Sequence, residues 1–233
     1  MNIAKLKKKF GLTFQNENLI KQAFTHSSYV NEHQKKHLAD NERLEFLGDA
    51  VLELLVSDYL YHKYGDLPEG ELTKYRAGIV CEESLYYFAE QLELYEYILL
   101  GKGEERTGGR KRQALLADVF EAFLGAIYID AGIEMSRTFL EKWVFPLINE
   151  DVLLHMMDYK TALQELIQER TNHSLQYRIV AESGPSHARQ FESEVLVNKD
   201  KRARGVGRTK KEAEQEAAKA MYMILKQPND KGK

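Results

Sequence analysis

The hydrophobic pattern changes its period near residue 150, and this change constrains the fold more strongly than any other feature of the chain. From Asn16 to about Pro146, apolar residues recur at the three- and four-residue spacing of amphipathic helices, and glycine and proline cluster only at breaks. No convincing alternating segment appears before residue 170. The first part of the chain is therefore predicted to be all-α.

The pattern beyond residue 158 predicts a second kind of domain. The predicted elements are, in order, a helix at 158–170, strands that begin at Leu175, Phe191 and Arg202, and a helix that begins at Thr209. Thr209 and Glu212 have the spacing of a capping box. This order predicts a small α+β (αβββα) domain with both helices on one face of an antiparallel sheet.

The length of 233 residues suits two domains. We place the first at 1–150, a junction at 151–157, the second at 158–226 and a tail at 227–233. Residues 1–150 carry 18 basic against 24 acidic residues, and residues 151–233 carry 15 against 12. These charges fit a first domain that binds cations and a second domain that binds a polyanion. Chance variation between two protein surfaces would also explain them.

The single cysteine, Cys81, excludes an internal disulfide and a metal site built from paired cysteines. The basic residues near the N-terminus are not followed by the apolar core of a signal peptide. No run approaches the ~20 apolar residues of a membrane span. We therefore expect a cytoplasmic protein without a membrane partner.

Acidic residues recur at helical spacing in two segments of the first domain. Glu42, Glu45 and Asp49 fall within about 60° on one helix stripe, and no basic residue lies between positions 44 and 61. Asp118 and Glu121 are one turn apart and are the only charges in an otherwise apolar stretch, 113–129.

These acids can be explained either as solvated helix faces or as ligands of a metal ion. A solvated helix face accounts well for the first group and poorly for the second, because carboxylates on an apolar helix need a partner when they are buried. Oxygen-only ligands favour Mg²⁺ or Mn²⁺ over zinc. The spacing thus predicts a divalent-metal site and does not identify a substrate.

The first domain resembles the ribonuclease III family. Residues 41–49, NERLEFLGD, resemble its nine-residue signature, and residues 23–29, 68–73 and 117–122 resemble its other blocks in the same order. The resemblance implies an all-α ribonuclease III endonuclease domain. Its implied metal ligands are Glu45, Asp49, Asp118 and Glu121, and its implied accessory catalytic acids are Glu42 and Glu69.

The resemblance also implies an activity and an assembly. Members of the family hydrolyse double-stranded RNA with Mg²⁺, for which Mn²⁺ substitutes, and with no small-molecule cofactor. The implied products carry 5′-phosphate and 3′-hydroxyl ends with short 3′ overhangs, and the implied roles are ribosomal and messenger RNA processing. Phe46 matches the aromatic residue that enters a socket on the partner subunit of the family's homodimers, whereas periodicity alone makes Phe46 an ordinary core residue.

The second domain resembles the double-stranded RNA-binding domain over its full length. The implied RNA contacts are Thr161, Gln164, Glu165 and Gln168 on its first helix, His187 in a loop, and Lys210 and Lys211 on its last helix. A helix N-terminus with two lysines is also a phosphate site on physical grounds. The alternative, a solvated helix start, fits the whole pattern less well. Glu214 is a departure, because many such domains have a third lysine there.

Some features leave alternatives open. The loop 101–112 carries five basic and two acidic residues, which suits either phosphate binding or a plain connection. His26, beside Ser27, is interpreted as a structural residue or an RNA contact. Two rival functions are an RNA-binding protein that does not cleave and a helical metal-storage protein, which would need Glu-x-x-His pairs that this chain lacks.

Overall fold

The computed structural model describes residues 1–34, 38–148, 159–168, 174–185, 189–198 and 201–226. The chain divides into two compact units, Met1–Met156 and Met157–Lys233. Among the described residues, no helix has both the length and the apolar character needed to cross a membrane.

The first unit is helical, as its periodicity predicts. Its helices are α1 (Ile3–Phe10), α2 (Glu17–Ala23), α3 (Ser27–Glu32), α4 (Glu42–Lys63), α5 (Glu69–Val80), α6 (Glu82–Gln91), α7 (Lys102–Arg106) and α8 (Gln113–Trp143). Short 3₁₀ turns lie at Leu94–Tyr97, Gly109–Lys111 and Phe145–Leu147. Helix α8 is interrupted at Gly132, where φ is 80° and ψ is −177°, a conformation that favours glycine.

Helices α4 and α8 cross at unusually close range because each contributes a glycine. A Cβ atom at Gly48 would lie 1.9 Å from the carbonyl oxygen of Glu121, and one at Gly125 would lie 2.3 Å from that of Leu44. Phe120 and Phe123 of α8 are fully buried in the core around this crossing. The contact fixes the two helices one against the other where both carry acidic side chains.

The second unit contains the predicted order of elements. These are α9 (Tyr159–Gln168), β1 (Leu175–Ser183), β2 (Gln190–Val197), β3 (Lys201–Gly207) and α10 (Lys210–Lys226). The sheet is antiparallel with the order β1-β2-β3. Tyr177 pairs with Val195, and Val195 pairs with Ala203. The pairing of β1 with β2 shifts between Ile179 and Ala181.

Helix α10 packs on the sheet through glycines of β3. A Cβ atom at Gly205 would lie 2.1 Å from the backbone nitrogen of Ala217, so a larger residue would push the helix away. At the start of α10, the Glu212 N–H donates to Thr209 Oγ1 (3.1 Å), as the capping box predicts. The reciprocal bond differs, because Glu212 Oε2 accepts from the Arg208 N–H, one residue before the cap (2.7 Å).

Candidate functional site

Three carboxylates meet where α4 and α8 cross. Glu45, Asp118 and Glu121 each offer an oxygen atom, and these atoms all lie within 4.8 Å of one another. All three side chains are partly buried. The two segments that the sequence marks as acidic therefore form one cluster. Gly48 contacts the backbone of Glu121, and Gly48 follows Glu45 by less than one helical turn.

The electrostatics of this cluster favour protons or cations. Burial, followed by repulsion from Asp49, raises the pKa of Glu121 to about 8. Burial, followed by repulsion from Asp118, raises the pKa of Glu45 to about 7. Burial also raises the pKa of Asp118, and the nearby Glu82 raises it further. Both causes penalise the ionised form, so full ionisation of the three carboxylates is unfavourable at neutral pH.

Two of the other predicted acids act electrostatically on this group, and the third is not among the described residues that perturb it. Asp49 is exposed and raises the pKa of both Glu45 and Glu121, while the exposed Glu42 raises that of Glu45. Glu69 begins α5, is exposed, and accepts a hydrogen bond from Thr73 Oγ1 (2.9 Å). Among the described residues, those that perturb the three clustered acids do not include Glu69.

The sequence did not single out Glu82 and did not connect His26 with the acids. Glu82 begins α6 and looked like an ordinary acidic helix start. His26 caps α3, where its Nδ1 accepts from the Ser28 N–H (3.2 Å), and its proximity lowers the pKa of Asp118. No spacing rule relates either residue to α8, because both are brought there by tertiary packing.

The donor set of the cluster fits a hard divalent cation. All of its ligand atoms are carboxylate oxygens, which Mg²⁺ and Mn²⁺ prefer. Neither lysine nor arginine is among the residues that shift the pKa of Glu45, Asp118 or Glu121 within the described chain. A cation between the three carboxylates would remove the repulsion that raises their pKa values.

An apolar stripe lies on the outer side of α4. Phe46 is 80% exposed, and Leu54 and Tyr61 on the same helix are 60% and 69% exposed. The interpretation of Phe46 as a core residue is therefore wrong for the single chain. The helix turns Glu45 towards α8 and Phe46, one position later, towards the outside.

The predicted RNA contacts of the second unit lie on its surface where the structure describes them. Exposed positions include all four on α9, namely Thr161, Gln164, Glu165 and Gln168, and both lysines at the start of α10, Lys210 and Lys211. Lys210 Nζ also lies 5.7 Å from the ring centre of Phe191. His187 lies outside the described residues.

The basic loop at 101–112 is folded onto its own acidic residues. Arg110 binds Glu105 through Nη2 (2.6 Å) and donates to the backbone oxygens of Tyr95 and Ile98. Arg112 binds Glu104 at 2.7 Å. Two of its five basic side chains are thus engaged within the domain.

Comparisons with known proteins agree with both units. A family model described as ribonuclease-III-like matches residues 16–148, and the double-stranded RNA binding motif matches residues 159–225. A ribonuclease 3 of Oceanobacillus iheyensis is 56% identical over 219 residues, which cover 94% of this chain and 96% of that protein. A ribonuclease 3 of Bacillus cytotoxicus is 58% identical over 94% of this chain and 89% of its own length.

Solved structures support the same assignment for the first unit. Two solved structures of the nuclease domain of ribonuclease III from Campylobacter jejuni match with TM-scores of 0.57 and 0.58 and identities of 41% and 40%. They cover 62% and 64% of this chain and 97% of their own chains. The chain therefore belongs to the ribonuclease III family, as an endoribonuclease of double-stranded RNA with the bacterial combination of one nuclease domain and one RNA-binding domain.

Proposed function

We propose that the chain hydrolyses phosphodiester bonds of double-stranded RNA with a divalent cation held by Glu45, Asp49, Asp118 and Glu121. The observation that carries the proposal is the cluster of three carboxylates with oxygen atoms within 4.8 Å, whose pKa values no lysine or arginine of the described residues is seen to lower. Mg²⁺ is the proposed cofactor, with Mn²⁺ as a substitute and no small-molecule cofactor besides the metal.

In this proposal the four acids are metal ligands, and Glu42 and Glu69 have an accessory role. When bound, the cation would lower the pKa of water and neutralise charge on the leaving oxygen. Glu45 and Glu121 would hold it as carboxylates and release bound protons, because pKa values raised to about 7 and about 8 leave both groups partly protonated near neutral pH. Glu42 and Glu69 complete the proposed catalytic set. The proposed products carry 5′-phosphate and 3′-hydroxyl ends.

The work is divided between the two domains in this proposal. Residues 1–150 carry the chemistry, 158–226 carry most of the affinity for RNA, 151–157 join them and 227–233 form a tail. The polar face of α9 and His187 contact the grooves, and Lys210 and Lys211 contact phosphates at the start of α10. The proposed substrates are ribosomal and messenger RNA precursors, and the proposed location is the cytoplasm.

The proposed active form is a symmetric homodimer. One chain offers one acid cluster, whereas short 3′ overhangs require a cut in each strand. The exposed Phe46, Leu54 and Tyr61 on one side of α4 support this assembly, since large apolar side chains grouped on an exposed surface are typical of an interface. One of the Campylobacter jejuni structures concerns flexibility in a region involved in dimer formation of that protein.

Light scattering tests the dimer directly. We expect about twice the chain mass of 27.0 kDa at micromolar concentration, and we expect Phe46→Ala to weaken the association. A monomer for the unmodified chain at that concentration contradicts the assembly but leaves the chemistry of a single cluster open to test.

Cleavage of long, perfectly paired RNA tests the proposed chemistry. We expect cleavage in Mg²⁺ and in Mn²⁺, and intact RNA when EDTA is present. Sequencing of the fragment ends checks the predicted 5′-phosphates and overhangs. Intact RNA with both metals would leave duplex binding as the only activity and overturn the proposal.

A further inference from the structure

An ion pair joins the two elements of the second unit that are proposed to contact RNA. Lys160 Nζ on α9 lies 2.6 Å from Glu214 Oε2 on α10. The backbone N–H of Lys160 also donates to Gln215 Oε1 on α10 (3.2 Å). Among the described residues, Lys160–Glu214 is the salt bridge that connects these two helices. The rings of Tyr159 and Tyr222 pack together beside it, with centres 5.7 Å apart.

Both members of the pair lie on the helix faces that carry the proposed contacts. Lys160 precedes Gln164 by four residues, so the two side chains point in similar directions on α9. Glu214 follows Lys210 by four residues and Lys211 by three, which puts it on the lysine-bearing face of α10. The pair therefore lies between the groove-facing residues of α9 and the phosphate-facing lysines of α10.

The pair is accessible and replaceable. The side chains of Lys160 and Glu214 are 36% and 25% exposed, so solvent and ions reach both. Surface ion pairs of this exposure contribute little to stability and are screened by salt. Lys160 Nζ also lies 5.0 Å from the ring centre of Tyr177 on β1, which holds the ammonium group in place at the domain surface.

We propose that Glu214 sets the RNA affinity of this domain by occupying Lys160 in place of an RNA phosphate. The carboxylate neutralises one cation of the surface and repels the phosphates that approach Lys210 and Lys211. RNA binding must displace it or leave Lys160 unused. This inference rests on the proposed function, because it assumes that the α9–α10 surface contacts the RNA backbone.

Binding of a duplex of about 16 base pairs to the full chain, measured by fluorescence anisotropy in EDTA over a salt series, tests the inference. Glu214→Gln keeps the size and hydrogen-bonding capacity of the side chain and removes its charge. We expect tighter binding at 50 mM salt and a steeper salt dependence, by about one phosphate contact. Its advantage then shrinks roughly 3.5-fold between 50 and 200 mM salt.

Three variants make the result specific. Glu192→Gln is the matched control, because Glu192 is also ion-paired, with Arg204, but lies on the sheet face opposite α10. We expect it to leave the salt slope unchanged. Lys160→Gln alone leaves the Glu214 carboxylate without its ion-pair partner, so it should bind RNA more weakly than the unmodified chain. The double variant Lys160→Gln/Glu214→Gln has the net charge of the unmodified chain and should lose the gain.

The outcomes separate this inference from the proposed function. If Glu214→Gln binds no tighter than the unmodified chain, or if the double variant keeps the gain, the role of Glu214 is wrong. A Lys210→Gln/Lys211→Gln variant reports on the surface itself. If that variant binds RNA as well as the unmodified chain does, the proposed RNA surface is wrong, whatever Glu214→Gln does. Matching thermal unfolding midpoints confirm that each variant is folded.

Discussion

Glu121 in the first unit and Glu194 in the second are the same kind of side chain in opposite electrostatic surroundings. Burial and three neighbouring carboxylates raise the pKa of Glu121 to about 8. Glu194 has a side chain only 1% exposed, yet hydrogen bonds from Arg178 and Arg204 lower its pKa. The charges of the neighbours, more than burial itself, decide which way a buried carboxyl shifts.

Within the described residues, the two groups of buried carboxylates differ in whether their negative charge has a partner. The ion pairs of Glu194 connect β1, β2 and β3 across the outer face of the sheet and leave no charge unpaired. The Glu45–Asp118–Glu121 cluster has the opposite property, because burial and neighbouring carboxylates raise the pKa of each of its acids. A protein retains such an arrangement at a cost to its stability, and functional sites are where perturbed pKa values concentrate.

The largest expected effect on RNA affinity comes from removing the second unit. A chain that ends at residue 157 loses the lysines of α10, so we expect duplex affinity to fall by a factor of 10 or more and its salt dependence to become shallower. Cleavage should persist at low salt because the acid cluster is intact. Gel-shift and cleavage assays over a salt series measure both effects. Cleavage that is lost at every salt concentration would contradict the division.

The stability of the metal-free protein tests the repulsion at Glu121. Because its pKa is raised on folding, the folded state binds more protons than the unfolded state between about pH 4.5 and 8. Stability therefore falls as pH rises through this window. Glu121→Gln should flatten that dependence and raise the melting temperature at pH 8 by a few °C, on the order expected for a small domain.

Glu53→Gln is the matched control for this experiment. Glu53 is an exposed acid on α4 that is not among the residues perturbing the cluster. Calorimetric melting in EDTA from pH 5 to 8 compares the two variants with the unmodified chain. Parallel pH curves for Glu121→Gln and the unmodified chain would show that the cluster is not strained.

Glu194→Gln should act in the opposite direction, with the smallest effect of the three. The pKa of Glu194 is lowered, so its stabilising contribution is present above the ordinary glutamate pKa of 4.5 and is lost as pH falls through the folded-state value. Removing the charge should lower the melting temperature at pH 7, by less as salt rises. An unchanged or higher melting temperature at low salt would undo the comparison with Glu121.

The sequence predicted the elements well because their signals are local. Helical periodicity predicted α4 and α8, and strand alternation predicted β1 and β2 within a few residues. The cap of α10 was predicted from Thr209 and Glu212, apart from the bond that goes to Arg208. These patterns depend on neighbours within one or two turns, which a single sequence records.

The parts that the sequence missed depend on contacts between distant segments. The acids of α4 and α8 were assigned to one site by resemblance, and the glycine crossing that joins them was not foreseen. Glu82 reaches Asp118 from the start of α6, and Glu214 binds Lys160 across 54 positions. A charged residue at a helix start has the same local pattern whether or not the fold gives it a partner.

The most direct test of the central claim separates catalysis from binding in a single variant. Glu121→Gln preserves the side-chain volume and removes one negative ligand, so we expect single-turnover cleavage of duplex RNA in Mg²⁺ to fall about 10³-fold, equivalent to several kcal/mol. Duplex affinity, measured by gel shift in EDTA, should stay within about threefold of the unmodified chain, since the proposed RNA contacts are residues of the second unit. Cleavage within tenfold of normal, or loss of binding with loss of cleavage, would contradict the assignment of the acid cluster as the catalytic site.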